Sequence, residues 1–206
     1  MFPPIILEGE HVRLEPLSLE HVPALAAAAS GPRESFRYTW VPEGEPGMRR
    51  YVEEALALRA AGAAIPFATV QRSSGHAIGS TRFFNLEYFR WPDGARAPPQ
   101  APDALEIGWT WLAADAQRTA VNTEAKLLML THAFETWKVV RVNLRTDALN
   151  ARSRAAIERL GAKLDGILRA HVPSALGGIR DTASYSLLRE EWPAAKERLS
   201  RRLRET

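Results

Sequence analysis

The stretch Gln117-Arg118-Thr119-Ala120-Val121-Asn122-Thr123-Glu124-Ala125-Lys126 has the make-up of an anion grip. It follows a strand-like segment and opens the most regular helical pattern in the chain, Asn122 to Trp137, in which Leu127, Leu130, Phe134 and Trp137 recur at helical spacing. A helix start leaves backbone N–H groups without carbonyl partners. The helix dipole adds partial positive charge at the same point, and the two together suit a pyrophosphate. Ala120 is small enough for close approach to the backbone. Arg118 brings a mobile charge, and Thr119 and Thr123 bring hydroxyl donors. The other reading of the same residues is an ordinary capped helix with Asn122 as N-cap. The stretch alone does not separate the two.

Two further constellations flank it. In Ala104 to Leu112, strand alternation puts Leu105, Ile107, Trp109 and Trp111 on one face and Glu106, Gly108 and Thr110 on the other. Glu106 has the chemistry to deprotonate an amine, directly or through water; its plainer role is an exposed or ion-paired strand carboxylate. Gly108 inside a strand marks a bulge or a close approach. Downstream, Asn150 opens a short helix, as a preferred N-cap does. Ser153, Ala156, Ile157 and Leu160 share one face of that helix, so Ser153 sits at the edge of whatever the face covers.

The elements that position these groups follow from periodicity. His11–Pro16 alternates as a strand, and Ser18–Ser30 and Pro46–Ala61 read as helices. Ile65–Gln71 and Ala77–Asn85 form a hairpin about Ser73–Gly75. Leu86–Asp103 is a long loop, broken by Pro92, Gly94, Pro98, Pro99 and Pro102. Val139–Thr146 is the next strand, and Ser153–Leu160 a short helix ended by Gly161. Lys163–Val172 and Arg180–Leu188 are a second hairpin about Gly177-Gly178, and Glu190–Arg204 closes the chain as a basic helix. Alternating helices and strands of this kind predict α/β architecture with a mixed, mostly antiparallel sheet.

Composition bounds the function. The 206 residues, 46% hydrophobic and 25% charged, predict a single globular domain over residues 1–206. No apolar run is long enough to span a bilayer, and Met1–Glu10 lacks the basic start of a signal peptide. There is no cysteine, which rules out disulfides, thiolate catalysis and Cys-based metal sites. A cytoplasmic location and no metal are expected. The net charge of +3 owes much to Lys196–Arg204, read as a solvated helix face rather than a nucleic-acid surface.

Taken in order, the segment Gln117–Asn122, the run Asn-Thr-Glu-Ala-Lys that ends at Lys126, and Asn150–Ala162 resemble the GNAT acetyltransferase superfamily. Within it they are most similar to the branch that acetylates ribosomal-protein N-termini. Gly166, Arg169, Arg180-Asp181 and Tyr185-Ser186 fit the same branch, and the resemblance spans about Leu7 to Trp192. It implies a sheet splayed between the fourth and fifth strands read here, Ala104–Leu112 and Val139–Thr146. Acetyl-CoA, the implied cosubstrate, would be wedged in the splay. Backbone groups of Trp109, Thr110, Trp111 and Leu112 would meet its pantetheine arm, and Gln117, Arg118, Thr119, Ala120, Val121, Asn122 and Thr123 its pyrophosphate. Asn150 and Ser153 would lie beside the pantetheine and sulfur.

The implied reaction is direct transfer to a primary amine on a small molecule or a protein N-terminus, with Glu106 as base. Ser153 would be the thiolate's proton donor, since the helix that carries a tyrosine in many members has none here; Tyr185 is a weaker option. The family's first signature glycine is Ala120, which would be strained if that position needs a positive φ. Arg33, Phe36, Tyr38, Trp40, Phe84, Tyr88, Trp91 and His171 are available for the acceptor side. A homodimer is compatible with all of this, and so is a non-catalytic acyl-CoA-binding module of the same fold.

Overall fold

A computed structural model describes residues 2–92 and 101–205. In chain order the elements are β1 (Leu7–Glu8), β2 (Val12–Pro16), α1 (Val22–Ala28), α2 (Gly44–Ala60), β3 (Ala64–Gln71), β4 (Ala77–Glu87), β5 (Ala104–Leu112), α3 (Ala120–Thr131), β6 (Arg141–Asp147), α4 (Ala151–Arg159), β7 (Lys163–Pro173), β8 (Ile179–Leu188) and α5 (Trp192–Arg204). The strands form one eight-stranded sheet in the order β1-β2-β3-β4-β5-β6-β8-β7. Every neighbouring pair is antiparallel except β5–β6. This is the mixed, mostly antiparallel α/β sheet expected from periodicity. In the long loop, Gly94, Pro98 and Pro99 lie outside the described residues.

The β5–β6 pair is what makes the sheet useful. It is parallel and holds for only three residues a side, Ala104–Glu106 against Arg141–Asn143. Beyond that β6 continues against β8 alone, through Leu144 to Asp147. The sheet therefore splays directly after Glu106. The splay falls between the two strands where the resemblance puts it.

Each sheet face has its own apolar core. On one, Phe67, Phe83, Leu105, Val142, Tyr185 and Leu187 pack with Val121, Met129 and Leu130 of α3 and Trp192 and Leu199 of α5. On the other, Ala68, Val70 and Trp111 pack with Val22 and Leu25 of α1 and Met48, Val52 and Ala55 of α2.

Several boundaries differ from the periodic reading. A 3-10 turn, Leu19–His21, precedes α1, and a second one, Arg33–Phe36, stands between α1 and α2; turns this short carry no periodicity to read. The third helix begins at Ala120 rather than Asn122, because Thr119 is its cap. The Thr119 hydroxyl accepts Val121 N–H at 3.3 Å and donates to Ala116 O at 2.8 Å. Its α-helical part ends at Thr131, and His132–Thr136 continues as a π turn, with Trp137 N–H donating to His132 O. The wider turn sets the Trp137 ring against both His132, at 4.5 Å, and Phe83, at 5.0 Å.

Candidate active site

The expected alternation of β5 breaks at its middle. Arg82 faces Gly108 and Ser80 faces Trp111, so Trp109 and Thr110 together oppose Thr81 alone. Trp109 takes φ +52°. This is a β-bulge, and one extra residue inverts the facing of everything after it. Leu105, Ile107 and Leu112 lie in the α3-side core, but Trp111 lies in the α2-side core, edge-on to Phe36. Trp109 is 47% exposed. The four aromatic and apolar residues Leu105, Ile107, Trp109 and Trp111 therefore do not share a face, and Thr110 turns toward α3 rather than sharing one with Glu106. Gly108 leaves its missing Cβ's space to the Phe84 ring, which would come within 2.9 Å of such a Cβ.

Glu106 stands at the last rung before the splay, 4% exposed, on the face opposite α3. Its Oε2 accepts from the Asn85 amide at 3.0 Å and lies 3.2 Å from the Arg145 guanidinium. Burial pushes its carboxyl above the ordinary range, against the pull of Arg145, the Asn85 hydrogen bond and Arg180. Glu106 is thus both ion-paired and poised to bind a proton more readily than a surface carboxylate.

Lys126 and Glu124 are structural ties as well as members of the Gln117–Lys126 stretch. Lys126 is 5% exposed and donates to Thr110 Oγ1 at 2.6 Å and Thr81 Oγ1 at 3.1 Å. Burial lowers its pKa to about 7. Its hydrogen bonds tie α3 to the bulge. Glu124 accepts three backbone N–H groups, from Glu10, His11 and Val12, at 2.7–2.8 Å. This clasps the β1–β2 turn to α3. A spacing signal existed for Lys126, which lies four residues before buried Leu130 on the inward face. Glu124 gave none, since its partners are over a hundred residues away in sequence.

The loop before α3 is tight. Gln117 spends its amide on Leu112 O at 3.0 Å, so its side chain braces the loop. Arg118 is exposed with φ +65°, the left-handed position of the turn. The positive φ falls on Arg118; Ala120 is instead the first helical residue and carries no such strain. Val121 is buried, and Asn122 and Thr123 are half-buried in the first turn, where helix N–H groups have no intrahelical carbonyl to meet.

Across the splay, Asn150 caps α4 by accepting Ser153 N–H at 3.0 Å. Ser153 is half-buried, at the edge of the face that buries Ile157 and Leu160. Arg152 donates to Ser35 O at 3.3 Å, which joins α4 to the turn before α2. Tyr185 is fully buried, its hydroxyl donating to Glu158 and accepting from Arg154, so it is committed to α4. His171 Nδ1 lies 3.1 Å from Thr182 Oγ1 on exposed β7. Of the acceptor-side residues, Phe36 is buried core, Arg33 pairs with Glu43, and Trp40, Tyr88 and Trp91 are exposed. Trp91 Nε1 and Phe89 N–H both donate to buried Asp103.

Among the described residues no cluster of three or more His, Asp or Glu is arranged to hold a metal ion, and no helix is long and apolar enough to cross a membrane.

Residues 11–163 match the model of the family described as acetyltransferase (GNAT) domain. A 91-residue stretch is 34% identical to "Putative ribosomal N-acetyltransferase YdaF" of Bacillus subtilis (strain 168); it covers 44% of this chain and about half, 49%, of that relative. A crystal structure of a GCN5-related N-acetyltransferase from Brucella melitensis superposes over 98% of this chain and 89% of that one, at TM-score 0.81 and 27% identity. Mycobacterium smegmatis RimJ in complex with CoA-disulfide shares the fold, at TM-score 0.76 and 19% identity, over 97% and 93% of the two chains. With the family model covering most of its length, the chain belongs to the GNAT acetyltransferase family.

Proposed function

We propose that this protein moves an acetyl group from acetyl-CoA to a primary amine, within one domain that uses both sides of the splay. The observation that carries the reading is the end of β5–β6 pairing directly after Glu106. It opens a cleft beside a strand that leads, through the Gln117 loop, to the start of α3. The chemistry of that cleft suits the cosubstrate. The N–H groups of α3's first turn, with Arg118 and the Thr123 hydroxyl, would hold the pyrophosphate. The β5 backbone from Trp109 to Leu112 would meet the pantetheine. The Asn150–Ser153 turn would close the far side.

In this account Glu106 takes the proton that an alkylammonium, with an ordinary pKa of about 8 to 10.4, must lose. Burial raises its proton affinity in the direction a general base at neutral pH needs. The freed nitrogen lone pair attacks the thioester carbonyl carbon, and the carbon–sulfur bond breaks. A backbone N–H at the bulge stabilises the charge that develops on the carbonyl oxygen. As the amide forms, the nitrogen gives up its second proton, which ends on the departing sulfur, with Ser153 Oγ hydrogen-bonding that sulfur as it leaves. The name of the Bacillus subtilis relative, a ribosomal N-acetyltransferase, favours a ribosomal amine among acceptors.

The test is a pair of variants, Glu106→Gln and Ser153→Ala, assayed by thiol release and by calorimetric titration with CoA. Both should lower turnover, Glu106→Gln by about 10²–10⁴-fold, with CoA affinity little changed. Wild-type turnover in both would remove these two roles, and a binding-only module would show CoA affinity with no thiol release from any amine.

A further inference from the structure

Arg82 is a buried cation without a counter-ion. It faces Gly108 in the β4–β5 ladder and projects to the α2 side of the sheet, since its neighbours Thr81 and Phe83 pack toward α3. The residue is 2% exposed. Its guanidinium lies 4.6 Å from the Trp109 ring centre and 5.4 Å from that of Tyr51. Among the described residues it has no carboxylate within salt-bridge distance, and its Nε is buried without a hydrogen-bond acceptor. Two ring faces offset only part of the cost of taking a guanidinium out of water. A native fold keeps such a group where something else supplies the anion.

The surroundings point the same way. Tyr51 Oη and Trp111 Nε1 are also buried and unpartnered, and both residues belong to the α2-side core that backs this face. Glu106, on the same face, already has Arg145 and Arg180 acting on it. Glu87, the next carboxylate along, is taken by Arg141. Cations are therefore in excess around the carboxylate that would accept the amine's proton, an arrangement suited to a substrate carrying both charges.

We infer that Arg82, clamped between Tyr51 and Trp109, is the anion subsite of the acceptor pocket, and that the acceptor is an amine bearing a carboxylate a few bonds from its nitrogen. The inference rests on the acetyl-transfer reading for the identity of the amine but not for the anion. The carboxylate has two sources, a free amino acid or an acidic side chain next to a peptide's N-terminus. In either case the guanidinium fork pairs with the carboxylate while the ammonium faces Glu106. The bulge contributes directly, because it is what sets the Trp109 ring over Arg82.

The experiment compares matched acceptors on wild type, Arg82→Met and Arg82→Lys. One set is the ω-amino acids from glycine to 5-aminopentanoate against their amides. The other is tripeptide amides with Asp or Asn at the second position. Wild type should favour the carboxylate member of one set at least ~10-fold in kcat/KM, a ratio that corresponds to one charge-assisted contact, and the favoured set identifies the source. Arg82→Met should erase the preference by slowing only the carboxylate members, Arg82→Lys should keep part of it, and acetyl-CoA affinity should stay the same in all three.

The melting temperature of Arg82→Met should hold or rise, because the variant removes an unpaired buried charge; a purely structural arginine would give a fall. The same acids and amides are also read by melting-temperature shift without acetyl-CoA. Carboxylate-specific shifts lost in Arg82→Met uphold the subsite even if no thiol is released, an outcome that overturns acetyl transfer alone. No carboxylate preference in either assay, or equal losses for acids and amides in Arg82→Met, overturns the subsite.

Discussion

Lys126 Nζ donates to Thr110 Oγ1 across 2.6 Å, joining the inward face of α3 to the second residue of the β5 bulge. Thr81 Oγ1, at 3.1 Å from the same nitrogen, completes a triangle with Thr110 Oγ1, the two hydroxyls lying 2.8 Å apart. No carboxylate is within ion-pair distance of the amine among the described residues. The bulge is thus held by a lysine that burial drives toward its neutral form.

That burial predicts a pH signature. Lys126 has a pKa of about 7 when folded, against 10.5 for an ordinary lysine. Between those values the unfolded chain binds the proton that the native state has released, so stability rises with pH across this window, by at most about 1.4 kcal/mol per pH unit. Below pH 7 both states are protonated and the cost of burying the charge is fully present. Urea denaturation of wild type and Lys126→Met at pH 7, 8 and 9 should show a rise in the wild type that the variant lacks. The Thr81–Thr110 hydrogen bond remains in the variant to hold the bulge. Parallel curves would mean that Lys126 stays charged.

Arg145 predicts the behaviour of Glu106. It is the strongest of the influences that hold the Glu106 carboxyl down against desolvation. Arg145→Met should therefore shift the acid limb of the kcat/KM profile to higher pH, and Glu106→Gln should abolish that limb. Glu106 is buried but the Arg145 side chain is 32% exposed, so losing Arg145 should cost less than the about 3–5 kcal/mol of a fully buried pair. An acid limb unmoved in Arg145→Met would assign it to another group.

The clasp at Glu124 predicts coupling with Gly9. A Cβ on Gly9 would collide with the Glu124 carboxylate, in the turn whose N–H groups that carboxylate collects. Glu124→Ala should destabilise by about 1.5–3 kcal/mol, the range for hydrogen bonds to a charged group. Gly9→Ala should be harmful in wild type and nearly harmless with Glu124→Ala. A double-mutant cycle measured by urea denaturation checks this; additive losses would contradict it.

Arg118 predicts effects of opposite sign on stability and binding. A non-glycine residue at φ +65° stores strain of about 1 kcal/mol. Arg118→Gly should hold or raise the melting temperature while weakening CoA binding about tenfold, the equivalent of one charge-assisted contact. Unchanged CoA affinity in a calorimetric titration would remove Arg118 from the phosphate site.

The sequence carried the frame of this site and less of its detail. Alternation and glycine punctuation marked β2 through β8, and the two strands that splay were the two expected to. The cap at Asn150 was legible because an asparagine before an apolar helical face has a local purpose, and the structure shows its Oδ1 on Ser153 N–H. The bulge was not legible, since Trp109-Thr110-Trp111 alternates equally well in either register, and only the pairing with β4 decides. The cap at Thr119 competed with an equally good asparagine three residues on. Arg82, Arg145 and Glu124 carry no local signal, because their meaning lies in partners, or in the lack of them, that only the fold assembles.

The central claim is that the cleft after Glu106 delivers the acetyl group of acetyl-CoA to an amine. The most direct measurement is thiol release from acetyl-CoA, with and without an amine acceptor, on wild type and Glu106→Gln whose CoA affinity has been matched by calorimetry. The account predicts amine-dependent release by wild type and a loss of about 10²-fold or more in Glu106→Gln at saturating acetyl-CoA. Saturable CoA binding with equal release by both proteins, or with none from any amine, would contradict it.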